Sequence, residues 1–128
     1  MEEGCDVFIK GFVDEDAKFD IIGRARALLF PSHREGWGII VTEASVAGTP
    51  AIVYNSPGCR DAVDMGRAGY LCQSNSPETL AALMQASLCD EPSYQQMRRK
   101  AWDYARQFTY GKTLEEFERA LAKLDGMR

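Results

Sequence analysis

The stretch Phe30-Pro31-Ser32-His33-Arg34-Glu35-Gly36-Trp37-Gly38-Ile39-Ile40-Val41-Thr42-Glu43-Ala44 gathers the residues best placed to do chemistry. Gly36 and Gly38 bracket Trp37 and leave backbone N–H groups open at the start of a helix. Such a helix start suits a phosphate or sugar hydroxyls. Glu43 is the odd residue, a carboxylate on a helix that otherwise reads as buried. There an ionised carboxylate is costly unless it ion-pairs or accepts hydrogen bonds from a ligand. Spacing leaves both readings of Glu43 open. Glu35 and Glu43 also raise a glycosidase-like carboxylate pair. That is disfavoured, because one partner sits inside a helix rather than both lining an open cleft. His33, the only histidine, reads as a loop residue before a catalytic base.

Chemistry in this segment requires a strand before it and a helix after it, and the pattern supplies both. Ala27 to Phe30 is a continuous apolar run, as expected of a strand covered on both faces, and Pro31 and Ser32 end it. The following helix spans roughly Gly38 to Ala47 and is apolar nearly all round, so burial is expected. Gly48 is a natural C′ residue and Pro50 a stop. Loops at the carboxyl ends of strands in open α/β sheets form the crevice where ligands bind. Upstream, Val7 to Val13 reads as a strand, with Asp14 capping a helix that shows Phe19, Ile21, Ile22 and Ala25 on one face. Ala51 to Tyr54 and Gly69 to Cys72 read as further strands. This α/β alternation fits parallel crossover units, with about four strands in a mostly parallel sheet.

The last third is helical. Ser76 caps and Pro77 takes N1, ahead of a face of Leu80, Leu83, Met84 and Leu88. Pro92 opens a second helix carrying Tyr94, Met97, Ala101, Ala105 and Phe108. Thr109 caps a third, whose stripe of Leu114, Phe117, Leu121 and Leu124 reads as core packing. The final seven residues, from Ala122, are expected to fray.

Composition narrows the classes. The 128 residues suit one small domain, and 45% hydrophobic with 27% charged argues against disorder. Lys plus Arg number 15 against 19 Asp plus Glu, a net charge of -4, which disfavours a general nucleic-acid binder. No apolar run is long enough to span a membrane, and the acidic start lacks a signal-peptide layout. Cys5, Cys59, Cys72 and Cys89 are scattered, without metal-ligand spacing. These features lead to the expectation of a soluble, cytoplasmic protein with free thiols and no metal site.

Glu35 through Ala44, continuing through Ala47-Gly48-Thr49-Pro50-Ala51-Ile52-Val53, resembles the E-x7-E signature of the group 1, family-4 retaining glycosyltransferases. Val7 to Val13 is similar to that family's V-x-F-x-G-x-V strand, and Ala27 to Ser32 to its apolar strand ending in Pro-Ser. Gly69-Tyr70-Leu71 and the closing helices follow the family's order. The resemblance covers nearly the whole chain. It implies the donor-binding half of a GT-B fold, a partial Rossmann-like three-layer domain truncated at its amino side.

The resemblance implies roles position by position. Glu35 would face the transferred sugar, and Gly36, Trp37 and Gly38 with the backbone of Ile39 and Ile40 would approach the sugar and the diphosphate. Glu43 would hold the ribose hydroxyls, and Phe12 and Val13 would meet the nucleobase. The partner implied is a nucleotide-diphosphate sugar, the acceptor is unspecified, no metal is expected, and any membrane contact of the full-length enzyme would be peripheral. Two departures stand out. Where the family shows Gly-Gly-x-x-Glu, this chain reads Ser56-Pro57-Gly58-Cys59-Arg60-Asp61, so Asp61 takes the acidic position. The family's first two donor-domain strands, with their glycine-rich turn, Arg and Lys, do not precede Val7. The chain alone is therefore expected to transfer sugar poorly or not at all. Its first strand is expected to pair directly with Ala27–Phe30, to dimerise or to swap. A non-catalytic nucleotide-sugar-binding or protein-interaction module is the alternative reading. A receiver-like signalling domain fits less well, lacking an acidic cluster at the first strand.

Overall fold

The computed structural model describes Gly4 and residues 6–127. Its sheet is small and parallel, with order β1-β2-β3 from Leu28–Phe30, Ala51–Val53 and Tyr70–Leu71. Leu28, Leu29 and Phe30 lie opposite Ala51, Ile52 and Val53, and Tyr70 opposite Ile52. Alternation along the central strand builds the layers. Ala51 and Val53 face a core of Val41, Cys59, Ala62 and Val63. Ile52 faces Cys72 and Tyr54, with Leu80 and Leu83 packed behind. Helix α2 (Ile39–Val46) and the short α3 (Pro57–Ala62) thus cover one face, and α4 (Pro77–Cys89) the other. The α/β class, parallel sheet and helical carboxyl-terminal part stand as expected, with three strands.

Helix boundaries follow local chemistry. Asp14 caps α1 (Glu15–Arg24) by accepting from the Ala17 N–H at 2.8 Å. Ser76 caps α4, and Asp90 caps α5 (Glu91–Ala105), accepting from Ser93 N–H at 3.1 Å. Thr109 caps α6 (Tyr110–Asp125). Gly48 ends α2 in the left-handed region at φ +81°, with its N–H bonded to Ser45 O, and Thr49 and Pro50 lead back into β2.

Four expectations are corrected. Val7–Val13 forms no strand: Phe8, Ile9 and Phe12 are exposed, and Gly11 at φ +65° breaks the extended run. The first of the three expected solutions, direct pairing with β1, does not occur: among the described residues β1 pairs only with β2, and its other edge stays open. Second, β1 is not covered on both faces, since Leu29 remains 39% exposed on an edge strand. Third, α2 is not buried all round. Val41, Ala44 and Ser45 are buried, whereas Ile39 is 72% exposed.

The fourth correction concerns the stripe Leu114, Phe117, Leu121 and Leu124. It is spaced for packing, yet each of the four stays exposed, because none of the described residues covers that face of α6. Helical order extends to Asp125, beyond Ala122 where fraying is expected to begin. Cys59 and Cys72 are buried free thiols, Cys89 is exposed, and Cys5 lies outside the described residues.

Candidate functional site

Residues 31–38 link the carboxyl end of β1 to the amino end of α2 and form the loop expected to carry chemistry. Gly38 sits at φ +79°, a conformation that favours glycine, and turns the chain into α2. A Cβ there would come within 3.1 Å of Phe30 Cε1 and 3.5 Å of Glu35 Cγ, so the position also needs its lack of a side chain. Gly38 O accepts from Val41 N–H at 2.9 Å. No side chain caps α2, and no acidic residue stands in its first turn. By contrast Asp14, Ser76, Asp90 and Thr109 cap α1, α4, α5 and α6. The opening N–H groups of α2, including those of Ile39 and Ile40, are left for another acceptor.

Glu35 and Gly36 are exposed on this loop. What fixes their backbone is Gly58, in the first turn of α3, which packs hard against it. A Cβ on Gly58 would meet Glu35 O at 2.4 Å and Gly36 O at 2.5 Å. The sequence treated Ser56–Asp61 as a departure from a pattern, and its helix went unread. The signal was available, because Ser56-Pro57 repeats the cap-then-proline start of Ser76-Pro77. Ser56 Oγ is buried and has no hydrogen-bond partner among the described residues.

Trp37 points away from the loop. Its Nε1–H donates to Thr42 Oγ1 at 2.8 Å, and its ring meets Phe108 edge-on at 4.9 Å. An open cavity of about 470 Å³ lies beside it, walled by Ile39, Phe108 and Tyr110. The Trp37 side chain therefore ties α2 to the segment after α5, and only its backbone belongs to the loop.

Glu43 is half-buried on the side of α2 that faces α1. Lys18 Nζ donates to Glu43 Oε1 at 3.2 Å and to Glu15 Oε1 at 3.0 Å. The Glu15 hydrogen bond raises the Lys18 pKa above its ordinary value; burial opposes it, and the weaker pull of Glu43 adds to the rise. Sequence reasoning missed Lys18, since nothing in its spacing linked it to Glu43. Phe12 and Val13 are not drawn into the sheet; Phe12 is fully in solvent and Val13 half-buried. His33 meets Tyr54 edge-on at 5.1 Å, and Asn55 and Asn75 bond across the carboxyl ends of β2 and β3. The structure thus brings Glu35 to Ile40 together at one end of the sheet, sets Glu43 on the adjoining helix flank, and leaves Phe12 outside.

A family model described as glycosyl transferases group 1 matches residues 3–106. The chain belongs to the group 1 glycosyltransferases. A glycogen synthase of Mycobacterium tuberculosis is 35% identical over 91 residues, covering 71% of this chain and 22% of that protein. A D-inositol 3-phosphate glycosyltransferase of Corynebacterium diphtheriae is 32% identical over 94 residues, covering 73% of this chain and 22% of its own length. The chain thus spans about a fifth of the length of these two relatives. Among solved structures, sucrose-phosphate synthase from Thermosynechococcus elongatus superposes with a TM-score of 0.77 at 20% identity. That match covers 92% of this chain and 30% of the other, and it shows a shared glycosyltransferase fold. The family match ends at residue 106, before α6 begins.

Proposed function

We propose that this group 1 glycosyltransferase chain binds the nucleotide-diphosphate sugar donor of a configuration-retaining transfer. The observation that carries the reading is the uncapped amino end of α2 directly after the Glu35–Gly38 loop. A diphosphate there would accept from the N–H groups of Ile39 and Ile40 and meet the positive end of the helix dipole. Gly36, Trp37 and Gly38 contribute backbone, Glu35 contacts hydroxyls of the transferred sugar, and Glu43 takes the ribose hydroxyls through its second oxygen. Phe12 and Val13 would reach the nucleobase only if their segment folded back. Catalysis on this reading is orientation of the donor and electrostatic stabilisation of the departing diphosphate by fixed dipoles, with no call for a metal. The buried, unpaired Ser56 hydroxyl at the same end of the sheet is a cost that a bound group would relieve.

We infer a cytoplasmic location, with peripheral membrane contact open to the full-length enzyme; no helix of the described residues is long and apolar enough to cross a membrane. The open β1 edge and the exposed residues 7–13 favour self-association or strand exchange, which light scattering tests; a strict monomer at high concentration refutes it.

A second reading has its own support. Lys18 already satisfies one oxygen of Glu43, as a purely structural ion pair would, and the chain could then be a non-catalytic binding module. Calorimetric titration of UDP-, GDP- and ADP-sugars into the wild type, Glu35→Ala and Glu43→Ala separates the two. Binding that weakens in Glu43→Ala supports the donor site. No binding to any donor favours the module.

A further inference from the structure

At the opposite end of the sheet, where α2 turns back into β2, lies a second recess unrelated to the donor loop. Val46, Ala47 and Gly48 form one wall and Gln95, Arg98, Arg99 and Trp102 of α5 the other, around an open volume of about 450 Å³. Arg98 lies flat on Gly48. Its Nε–H donates to Gly48 O at 2.8 Å and its Nη1–H to Gln95 Oε1 at 3.2 Å, which fixes the plane of the guanidinium. Gly48 favours this placement, since a Cβ would stand 3.2 Å from Arg98 Nη2 and its φ of +81° is left-handed. Arg98 thereby answers the negative carboxyl end of α2 and keeps the Nη2 edge unbonded.

Arg99 has no such task. Among the described residues no carboxylate pairs with Arg98, Arg99 or Arg106. Two acidic side chains of α5 have other partners or places, although Arg98 still acts on Glu91 through space. Glu91 is held by Arg26 and Gln95, and Asp103 lines a different recess with Arg67 and Lys100. Trp102, 43% exposed, presents its indole at the rim, with the Arg106 guanidinium 4.5 Å from the ring centroid. A chain with net charge -4 thus concentrates guanidinium groups that have no ion-pair partner among the described residues around one aromatic ring.

We propose that this recess binds a small sugar phosphomonoester. The free Nη2 of Arg98 and the Arg99 guanidinium offer donors to a phosphate dianion, and the indole supplies an apolar face for the sugar ring. The volume falls within the range of small-molecule sites. No step of the donor reading enters, so either can fail alone.

The test is an NMR titration of the full 128-residue chain at constant ionic strength, following the two indole N–H signals of Trp37 and Trp102. The probes are inorganic phosphate, ribose 5-phosphate and ribose. The expected result is a saturable shift confined to Trp102 with both phosphates, tighter by tenfold or more for ribose 5-phosphate, and none with ribose. Arg99→Gln, whose side chain makes no hydrogen bond or ion pair among the described residues, should weaken both by at least tenfold, and Trp102→Ala, followed on the Gly48 amide, should erase the preference for the sugar. A linear, unsaturable response, equal binding by Arg99→Gln, or a shift with ribose alone would overturn the proposal. Equal affinity for the two phosphates would overturn its sugar component.

Discussion

Replacing Gly58 by alanine tests whether α3 holds the donor loop. The added Cβ would stand 2.4 Å from Glu35 O, 2.5 Å from Gly36 C and 2.5 Å from Gly36 O. Relief requires a backbone shift of about 0.6 Å to reach the closest tolerable approach, and about 1 Å for ordinary contact. Two effects oppose each other. Alanine is a better helix former than glycine by up to about 1 kcal/mol, and less than that in a first turn. Overpacking costs about 1–3 kcal/mol, and here both clashing groups are main chain, which cannot swing aside as a flexible side chain does. The clash should win. Gly58→Ala is expected to lose about 1–2 kcal/mol in urea unfolding, and to shift the amide signals of Glu35, Gly36 and Trp37 before any ligand is added. Under the donor reading the same displacement lowers donor affinity by about tenfold to a hundredfold, the scale expected of an ångström of misplacement. A variant with wild-type stability and unchanged loop amides would refute the reasoning, whatever its ligand affinity.

Other perturbations separate the parts of the molecule. Ile52→Ala, at the fully buried centre of the sheet, should cost about 2–5 kcal/mol, whereas Phe117→Ser on exposed α6 should stay within about 0.5 kcal/mol in the same urea assay. Equal costs would mean that α6 packs on the domain. Gly111→Ala, with open space around its Cβ position, should gain up to about 1 kcal/mol, read as slower amide exchange within α6 rather than a higher global midpoint. Arg67 holds the Asp64 carboxyl below its ordinary 3.8 through hydrogen bonds of 2.9 and 2.6 Å. A lowered folded value means stability that is present above about pH 4 and lost as pH falls through it. Asp64→Asn tolerates the left-handed φ of +50° and should flatten that part of the acid limb; parallel urea-midpoint curves from pH 2 to 7 would count against the pair.

Much of this arrangement was legible in the chain because it rests on local chemistry. Caps at Asp14, Ser76 and Thr109 need only a side-chain oxygen and an N–H three residues on, and Gly48 needs only a left-handed φ; all are written within a few positions. What was not legible depends on partners. Val7–Val13 has strand composition, yet a strand is a paired object, and composition carries no information on whether a ladder stands beside it. The α6 stripe fails for the same reason: helical spacing shows that a face is apolar, not that anything covers it.

Glu43 shows where the limit falls within the site itself. Its helix position predicted that the carboxylate must be partnered, and it is, but the partner comes from Lys18, twenty-five residues earlier on a different helix. A carboxylate with one oxygen held and one open serves both readings of its role. Lys18 takes Oε1 and fixes the rotamer, while Oε2 remains available to a diol, so an ion pair and a ligand contact do not compete for the same atom. A structural bridge and a binding residue then differ in one respect only. Lys18→Met should leave the urea midpoint close to wild type either way, but it should weaken donor binding only if that bridge orients Glu43 for a ligand. Unchanged donor affinity in Lys18→Met, alongside a loss in Glu43→Ala, would show that Glu43 needs no orienting partner and that the bridge belongs to the fold alone.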